Sequence, residues 1–457
     1  MAISGTAAIT GSGTITITDA ASIVADATVG TYVLGNFTNA ITMGAAAQNV
    51  TGGSGADTVT TTTGTVTGTL TLGAGANALK LTDGANISGA SVTAVGGTYA
   101  IELQNNAGTT ASRMTVAQHN GALAITESAA TTSTVTLNDA TAAVTGSANV
   151  DVYAFAATSG NDFTLGAAGQ SVTLSGTAGA DTLRVAGLTA TGTITNWGIA
   201  DTLVATTGAS IAALAPIAGT LNMTGTVTMT AAQANGFTIV APGATDRVEI
   251  AAGVYTAITA AAAVETYSLG DATGNAITVS GITGAQSVSG LATTDAVTVG
   301  ITGTYTGTLT GQAGVADVVS ATGTTNIAGA TIGAGFVALT LADATDITMT
   351  RAQLAAFSGT VTATGTQSVT LTTAGAVTTA AAIETYNLAA GTNTVTVAGT
   401  AAVTVNGGTG ADTINVGAAT TTFATTFNLG VDTQTDRVSI TNAAVAAADV
   451  NVTTISN

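Results

Sequence analysis

"GGTGADTINV" occupies residues 407–416, and "GGSGADTVT" occupies residues 52–60. Paired glycines, a third glycine and an aspartate mark a tight turn. Glycine adopts backbone conformations closed to other residues, and aspartate accepts nearby N–H groups. The "TINV" and "TVT" that follow alternate polar and β-branched residues, as a half-buried strand does. Weaker copies lie between them: "GTAGADTLR", which carries Asp181, and "GLATTDAVT", which carries Asp295. The fold depends on what else recurs with this turn.

A tyrosine precedes each copy by about 25 residues. Tyr32, Tyr153, Tyr267 and Tyr386 are separated by 121, 114 and 119 residues. A third mark recurs in the same order, as "MTVAQHN" from Met114, "MTAAQAN" from Met229 and "MTRAQLA" from Met349. Together they define a repeat of about 117 residues. The boundaries read as 1–111, 112–226, 227–346 and 347–457, within one continuous solenoid. The first copy lacks the leading helical turn, and the last lacks the trailing segment. Thr115 with Gln118, Thr230 with Gln233 and Thr350 with Gln353 each fit a capping box, which predicts a helix of one or two turns. The Ala-rich "AITAAAAVE" (257–265) is the other patch of helical character.

A finer period lies inside the repeat. Asn77 follows Asp57 by 20 residues, Asp201 follows Asp181 by 20, Asp317 follows Asp295 by 22 and Asp436 follows Asp412 by 24. Such a recurrence is the length of one coil of a β-solenoid. With the alternating strands, it predicts an all-β chain, a parallel β-solenoid of the β-helix or β-roll kind. The competing architecture is four β-sandwich domains, one per repeat. The single tryptophan, Trp197, and the absence of Pro-rich or polar linkers speak against it.

Composition narrows the function classes. Hydrophobic residues make up 46 % but aromatics only 4 %, so the core is built from small side chains. Charged residues are 7 %, against about 25 % in ordinary domains. The net charge is −18, and the six bases are scattered along the chain. Nucleic-acid binding needs a basic stripe and is excluded. No apolar run reaches the roughly 18 residues of a membrane span, so membrane insertion is not expected. There is no cysteine, which removes disulfides and thiolate metal sites. The first twenty residues carry no basic segment and no continuous apolar core, unlike a cleaved leader.

The two strong turns match G-G-x-G-x-D-x-U-x, where U is a large apolar residue. This is the nonapeptide of RTX proteins, whose parallel β-roll binds calcium in its turns. The chain resembles the RTX-type β-solenoid of Gram-negative surface-layer proteins and large secreted adhesins. The general style covers the whole chain, and the motif itself two good copies and one partial one. Thr177 replaces the second glycine in the Asp181 copy; only the first glycine, the aspartate and the apolar position survive in the Asp295 copy. The resemblance implies calcium as the bound cation, secretion to the cell surface by a leaderless type I route, and a structural role.

Here the good nonapeptides stand alone, and one cannot fill the six to eight oxygen positions of calcium. The coil period supplies a partner for each, setting Asp57 against Asn77, Asp181 against Asp201, Asp295 against Asp317 and Asp412 against Asp436. Carboxylates stacked about 4.8 Å apart repel by about 3 kcal/mol at an effective dielectric near 20, and a calcium ion between them removes that repulsion. The plainer reading is that these residues cap turns by accepting backbone N–H bonds.

An enzyme is not expected. His119 is the sole histidine, and Ala234 and Leu354 stand at its position in other repeats, so it reads as a surface residue. Glu265, Glu384 and Asp151 share one repeat position, just before the tyrosine, and read as acceptors for a backbone or hydroxyl group. The tyrosines read as packing residues. The stretch "TVTTTTGTVTGTLTL" (58–72) resembles the threonine ladder of some ice-binding solenoids, although its phase wanders. The two ends, "ITGSGTITITDAAS" (9–22) and "AADVNVTTISN" (447–457), align with what the other would need to continue the repeat, which suggests head-to-tail stacking. The expected function is an extracellular protein that self-assembles into a surface layer or filament, stabilised by calcium. Its expected partners are copies of itself, with a cell-surface polysaccharide as a further candidate. The alternatives are a calcium-binding adhesin stalk or a Thr-rich ice-binding solenoid.

Overall fold

The computed structural model describes residues 12–104, 111–128, 132–215, 218–272, 276–357, 360–398, 402–416 and 425–440. The chain forms two compact units, residues 1–223 and 224–457. Each is a parallel β-solenoid. The head-to-tail expectation rests in part on residues 9–11 and on 447–457, which lie outside the described residues.

In the first part of the first unit, up to Gln104, successive strands alternate between two sheets, and the later strands alternate in the same way between two more. Thr14–Ile17, Thr31–Leu34, Asn49–Thr51, Thr69–Leu72 and Ser91–Ala94 pair in that order. The strands between them, from Ser22–Val24 to Ile125–Glu127, form the opposing sheet. All of these pairings are parallel, and the register gives the coil length directly. Thr31 lies against Asn49, Thr58 against Ala78 and Ala76 against Thr98. These steps span 18, 20 and 22 residues, so the coil is the expected length. The strands are short because each face of the coil is narrow. Their alternation follows from the two-residue side-chain period. Leu70, Leu79, Leu81 and Ile101 point inward and are fully buried. Threonines at the intervening positions face out.

The second unit repeats the plan with longer strands. Val297–Tyr305 and Asp317–Asn326 run through a corner without breaking. Gly281, Gly303 and Gly323 sit at these bends with φ of 75°, 70° and 62°, a region costly for residues with a Cβ. The register shifts where the bends fall, between Val279 and Ile282 and between Ile301 and Gly303.

Among the described residues three short helices sit on the coils: α1 (Val116–Gly121), α2 (Ala231–Gly236) and α3 (Arg351–Ala356). Each has the complete capping box read from its Thr-x-x-Gln, with Thr115, Thr230 and Thr350 as N-caps. The Ala-rich patch 257–265 is not helical. Ala257–Thr259 is a strand and a turn follows it. Tertiary hydrogen bonds decide this against alanine's helix propensity: the Ala261 N–H goes to Tyr267 Oη, and the Ala261 and Val264 carbonyls accept from Gln286. Among the described residues no helix is long and apolar enough to cross a membrane.

The stretch that suggested a threonine ladder divides between sheets. Thr58–Thr60 lies on one and Thr69–Leu72 on the other. On the sheet of Thr69, the outward columns are broken by Asn49 and Val33.

Candidate functional site

The glycine-aspartate turns form one corner of the coil, and the glycines of the two strong copies have a steric reason, whereas a Cβ on Gly176 of the Asp181 copy would meet nothing within 4 Å. A Cβ on Gly52 would fall 2.7 Å from Asp57 Oδ2; on Gly53, 2.3 Å from the Gly35 carbonyl oxygen; on Gly55, 2.1 Å from that of Phe37. Gly73 continues the stack one coil on, with a Cβ position 1.5 Å from the Gly53 carbonyl oxygen. Backbone presses on backbone at this corner, and only glycine lets the coils close. Gly407 repeats the arrangement against Asp412 Oδ2, at 2.7 Å.

The aspartates stack as a ladder. The Asp57 carboxylate accepts the Asn39 N–H at 3.0 Å and the Asn39 side-chain amide at 3.1 Å through Oδ1, and the Gly53 N–H at 3.2 Å through Oδ2. The Asp57 N–H in turn goes to Asn77 Oδ1 at 2.9 Å. Asp181 accepts the backbone and side-chain amides of Asn161, both at 2.9 Å, and gives its N–H to Asp201 Oδ1 at 2.9 Å. Asp412 accepts the same pair of groups from Asn393, at 3.1 and 2.8 Å, and gives its N–H to Asp436 Oδ1 at 2.9 Å. Three of the four expected pairs are therefore joined directly, rung to rung. The fourth is out of step. Asp317 Oδ1 accepts from Val297 N at 2.8 Å, while Asp295, two residues earlier, accepts from Ala272 N at 3.1 Å.

This arrangement costs electrostatic energy. Asp57, Asp181, Asp201, Asp317 and Asp412 are all at most 3 % exposed. Burial pushes the carboxyls of Asp201, Asp317 and Asp412 above their usual range, and the neighbouring charge adds to this at Asp201, from Asp181, and at Asp412, from Asp436.

The fit to calcium differs among the eight residues. Asn77 Oδ1 accepts the Asp57 N–H, and its amide nitrogen donates to the Gly73, Gly75 and Thr98 carbonyls, which fixes the side chain within the ladder. Asp57 is bonded at both oxygens, and so is Asp201, whose Oδ2 takes the Gly198 N–H at 2.6 Å. Oδ2 of Asp181, Asp317 and Asp412 is buried with no hydrogen-bond partner. At Asp317 and Asp412 the N–H groups of Gln312 and Gly408 lean toward the carboxylate without completing a bond. Those orphaned oxygens suit a cation. Yet among the described residues no three His, Cys, Asp or Glu side chains come close enough to share a metal ion.

Several structural residues escaped the sequence reading. Asn39, Asn161 and Asn393 are rungs of the same ladder. So is Asp246, which accepts from Gly225 N at 2.6 Å and Gly243 N at 2.7 Å. A second clasp sits on another corner. The four repeat tyrosines are buried, and each Oη accepts an N–H from the residue six positions earlier: Asp26, Ser147, Ala261 and Ala380. In the next coil Gln48, Gln170 and Gln286 donate to two carbonyls of that same turn while accepting an N–H of their own turn. The signal was present in sequence, as a glutamine 16, 17 or 19 residues after the tyrosine.

The position before the tyrosine does accept backbone hydrogen bonds, as expected. Glu265 takes the Asp246 N–H, Glu384 the Gln367 N–H and Asp151 the Ser133 N–H, all at 2.8 Å. His119 departs from expectation. It is 6 % exposed, and its Nε2 lies 3.1 Å from Tyr153 Oη. The tyrosine hydroxyl reaches up to the helix there, which draws the imidazole inward.

No family model matches this chain, and no curated protein or solved structure matches it.

Proposed function

We propose that the protein is an extracellular structural solenoid that assembles with copies of itself into a surface layer or filament. One observation carries the reading. The buried polar side chains at the repeat positions are spent on coil-to-coil hydrogen bonds, at the same phase in successive repeats. Such a ladder has a direction, since each rung gives its N–H to the side-chain oxygen of the next. A second copy placed at the end of a stack meets the groups that the next coil would meet, and such a heterologous contact need not close.

Calcium enters as a stabiliser through the orphaned oxygens of Asp181, Asp317 and Asp412, with turn carbonyls completing the shell. Secretion by a leaderless route belongs to the same proposal and rests on the resemblance to RTX-type repeats. Sedimentation velocity of the full chain over a concentration series, with calcium or with chelator, tests it. Assembly should grow with concentration and more steeply with calcium. A single monomeric species under both conditions overturns assembly; growth indifferent to chelator overturns only the role of calcium.

A further inference from the structure

The three capped helices differ at one position beside the first strand of a sheet. Asn120 of α1 donates its side-chain amide to the Ala143 carbonyl at 2.9 Å. Asn235 of α2 donates to the Ala257 carbonyl at 3.0 Å and accepts the Thr259 N–H at 2.7 Å. These carboxamides cover part of an open strand edge, which native sheets commonly protect. Ala355 stands at that position in α3 and has no polar side-chain atom to offer.

The edge left uncovered belongs to Ala376–Thr378, the first strand of its sheet. The strand pairs on one side with Thr394–Val397, in parallel, with Val377 opposite Val395. Thr394 N to Gly375 O and Thr379 N to Thr396 O flank that pairing, so Val377 turns both its backbone groups to this neighbour. The N–H and C=O of Ala376 and of Thr378 therefore face the open side. These two donors and two acceptors have no partner among the described residues. They border a groove of about 230 Å³, lined also by Leu354, Ala355, Val361 and Arg351. Arg351 has no acid within ion-pair distance among the described residues, and its Nε is buried without a hydrogen bond. It lies over Gly375, where a Cβ would fall 2.8 Å from that Nε. The unpaired charge thus sits at the N-terminal end of the open edge.

We propose that this edge takes up an extended acidic peptide as an added strand. Alternating main-chain donors and acceptors supply the affinity in strand addition, and pockets for alternate side chains supply the specificity. The peptide enters parallel, as every pairing of this sheet does. Its residue beside Val377 turns a side chain toward Leu354, Ala355 and Val361. The residue two positions earlier, beside Gly375, lies on the same face and meets Arg351. An acid followed two residues later by a small apolar residue, as in Asp-x-Val, fits both. The site stands independently of self-assembly.

Fluorescence anisotropy of the full chain with labelled acetyl-Thr-Asp-Thr-Val-Thr-amide tests this. Saturable binding to the native chain is expected. N-methylation of the valine, whose N–H reaches the Ala376 carbonyl, should abolish it; N-methylation of the central threonine, whose N–H points away, should not. Arg351→Met should weaken the peptide about tenfold or more, as loss of a charge-assisted bond implies, and leave the analogue with Asn in place of Asp nearly unchanged. Ala355→Asn restores the residue of the sister repeats and should abolish binding by covering the edge. No binding to the native chain, equal affinity of the two methylated peptides, or equal binding by Ala355→Asn overturns the proposal. So does slower sedimentation of the peptide-free chain on Ala355→Asn without peptide binding to the native chain, which makes this edge a contact between copies.

Discussion

Asp57 shows what one residue does at the corner. Its carboxylate holds three N–H donors from its own coil and the preceding one, away from water. Asp57→Ala strands those donors, and each buried unsatisfied group costs about 1–3 kcal/mol. Stability should fall by about 3–5 kcal/mol, read from the urea midpoint, with Asp57→Asn costing about half as much because it keeps one acceptor oxygen. An unchanged midpoint for Asp57→Ala contradicts the ladder. The motif "GGSGADTVT" made the corner legible, because tight turns leave a glycine signature. It did not reveal whether the aspartate faces an ion or a neighbouring N–H, since both want the same oxygen. His119 carries a pH prediction. Burial lowers its pKa, so it stays neutral when folded. The unfolded chain takes up that proton near pH 6.5, so the stability contribution is present above that value and is lost as pH falls toward the folded pKa. The carboxyls of Asp201, Asp317 and Asp412 have the opposite sign: raised by burial, they favour the folded state at acid pH and lose that contribution as pH rises through their folded pKa. Between pH 7.5 and 5.5 the native chain should therefore lose stability relative to His119→Leu, which carries the residue of the fourth repeat, as pH falls. Identical slopes would count against a neutral buried imidazole.

At the scale of elements, the solenoid is fastened by two kinds of clasp, aspartate-asparagine at one corner and tyrosine-glutamine at another. Gln170 accepts the Gly166 and Ala167 N–H groups and donates to the Ser147 and Val150 carbonyls, so one amide joins two turns. Gln170→Ala should lower stability by about 2–4 kcal/mol. Gln170→Glu should cost at least as much, because its carboxylate faces two carbonyl oxygens and lacks the donors. If Gln170→Glu unfolds at the same urea concentration as the native chain, the clasp is not where stability resides. The helices were the most legible elements, because a capping box is a local signal complete within four residues. The glutamine clasp was hidden because its partners lie one coil away, at a separation that varies from 16 to 19 residues after the tyrosine. The Ala-rich patch misled for a related reason: helix propensity there is weaker than the contacts made by Tyr267 and Gln286.

For the whole molecule, the coil period in sequence and the register between strands agree, and both say that each unit is a stack of coils. The Asp295 corner marks the limit of that legibility. Its aspartate sits two residues out of step, and Val297 takes the rung instead. An assembling solenoid extends the stack from one molecule to the next. Electron microscopy of the purified full-length chain at increasing concentration, with calcium present, tests this most directly. The account predicts ordered sheets or filaments with a regular repeat, and dispersed single particles at every concentration would contradict it.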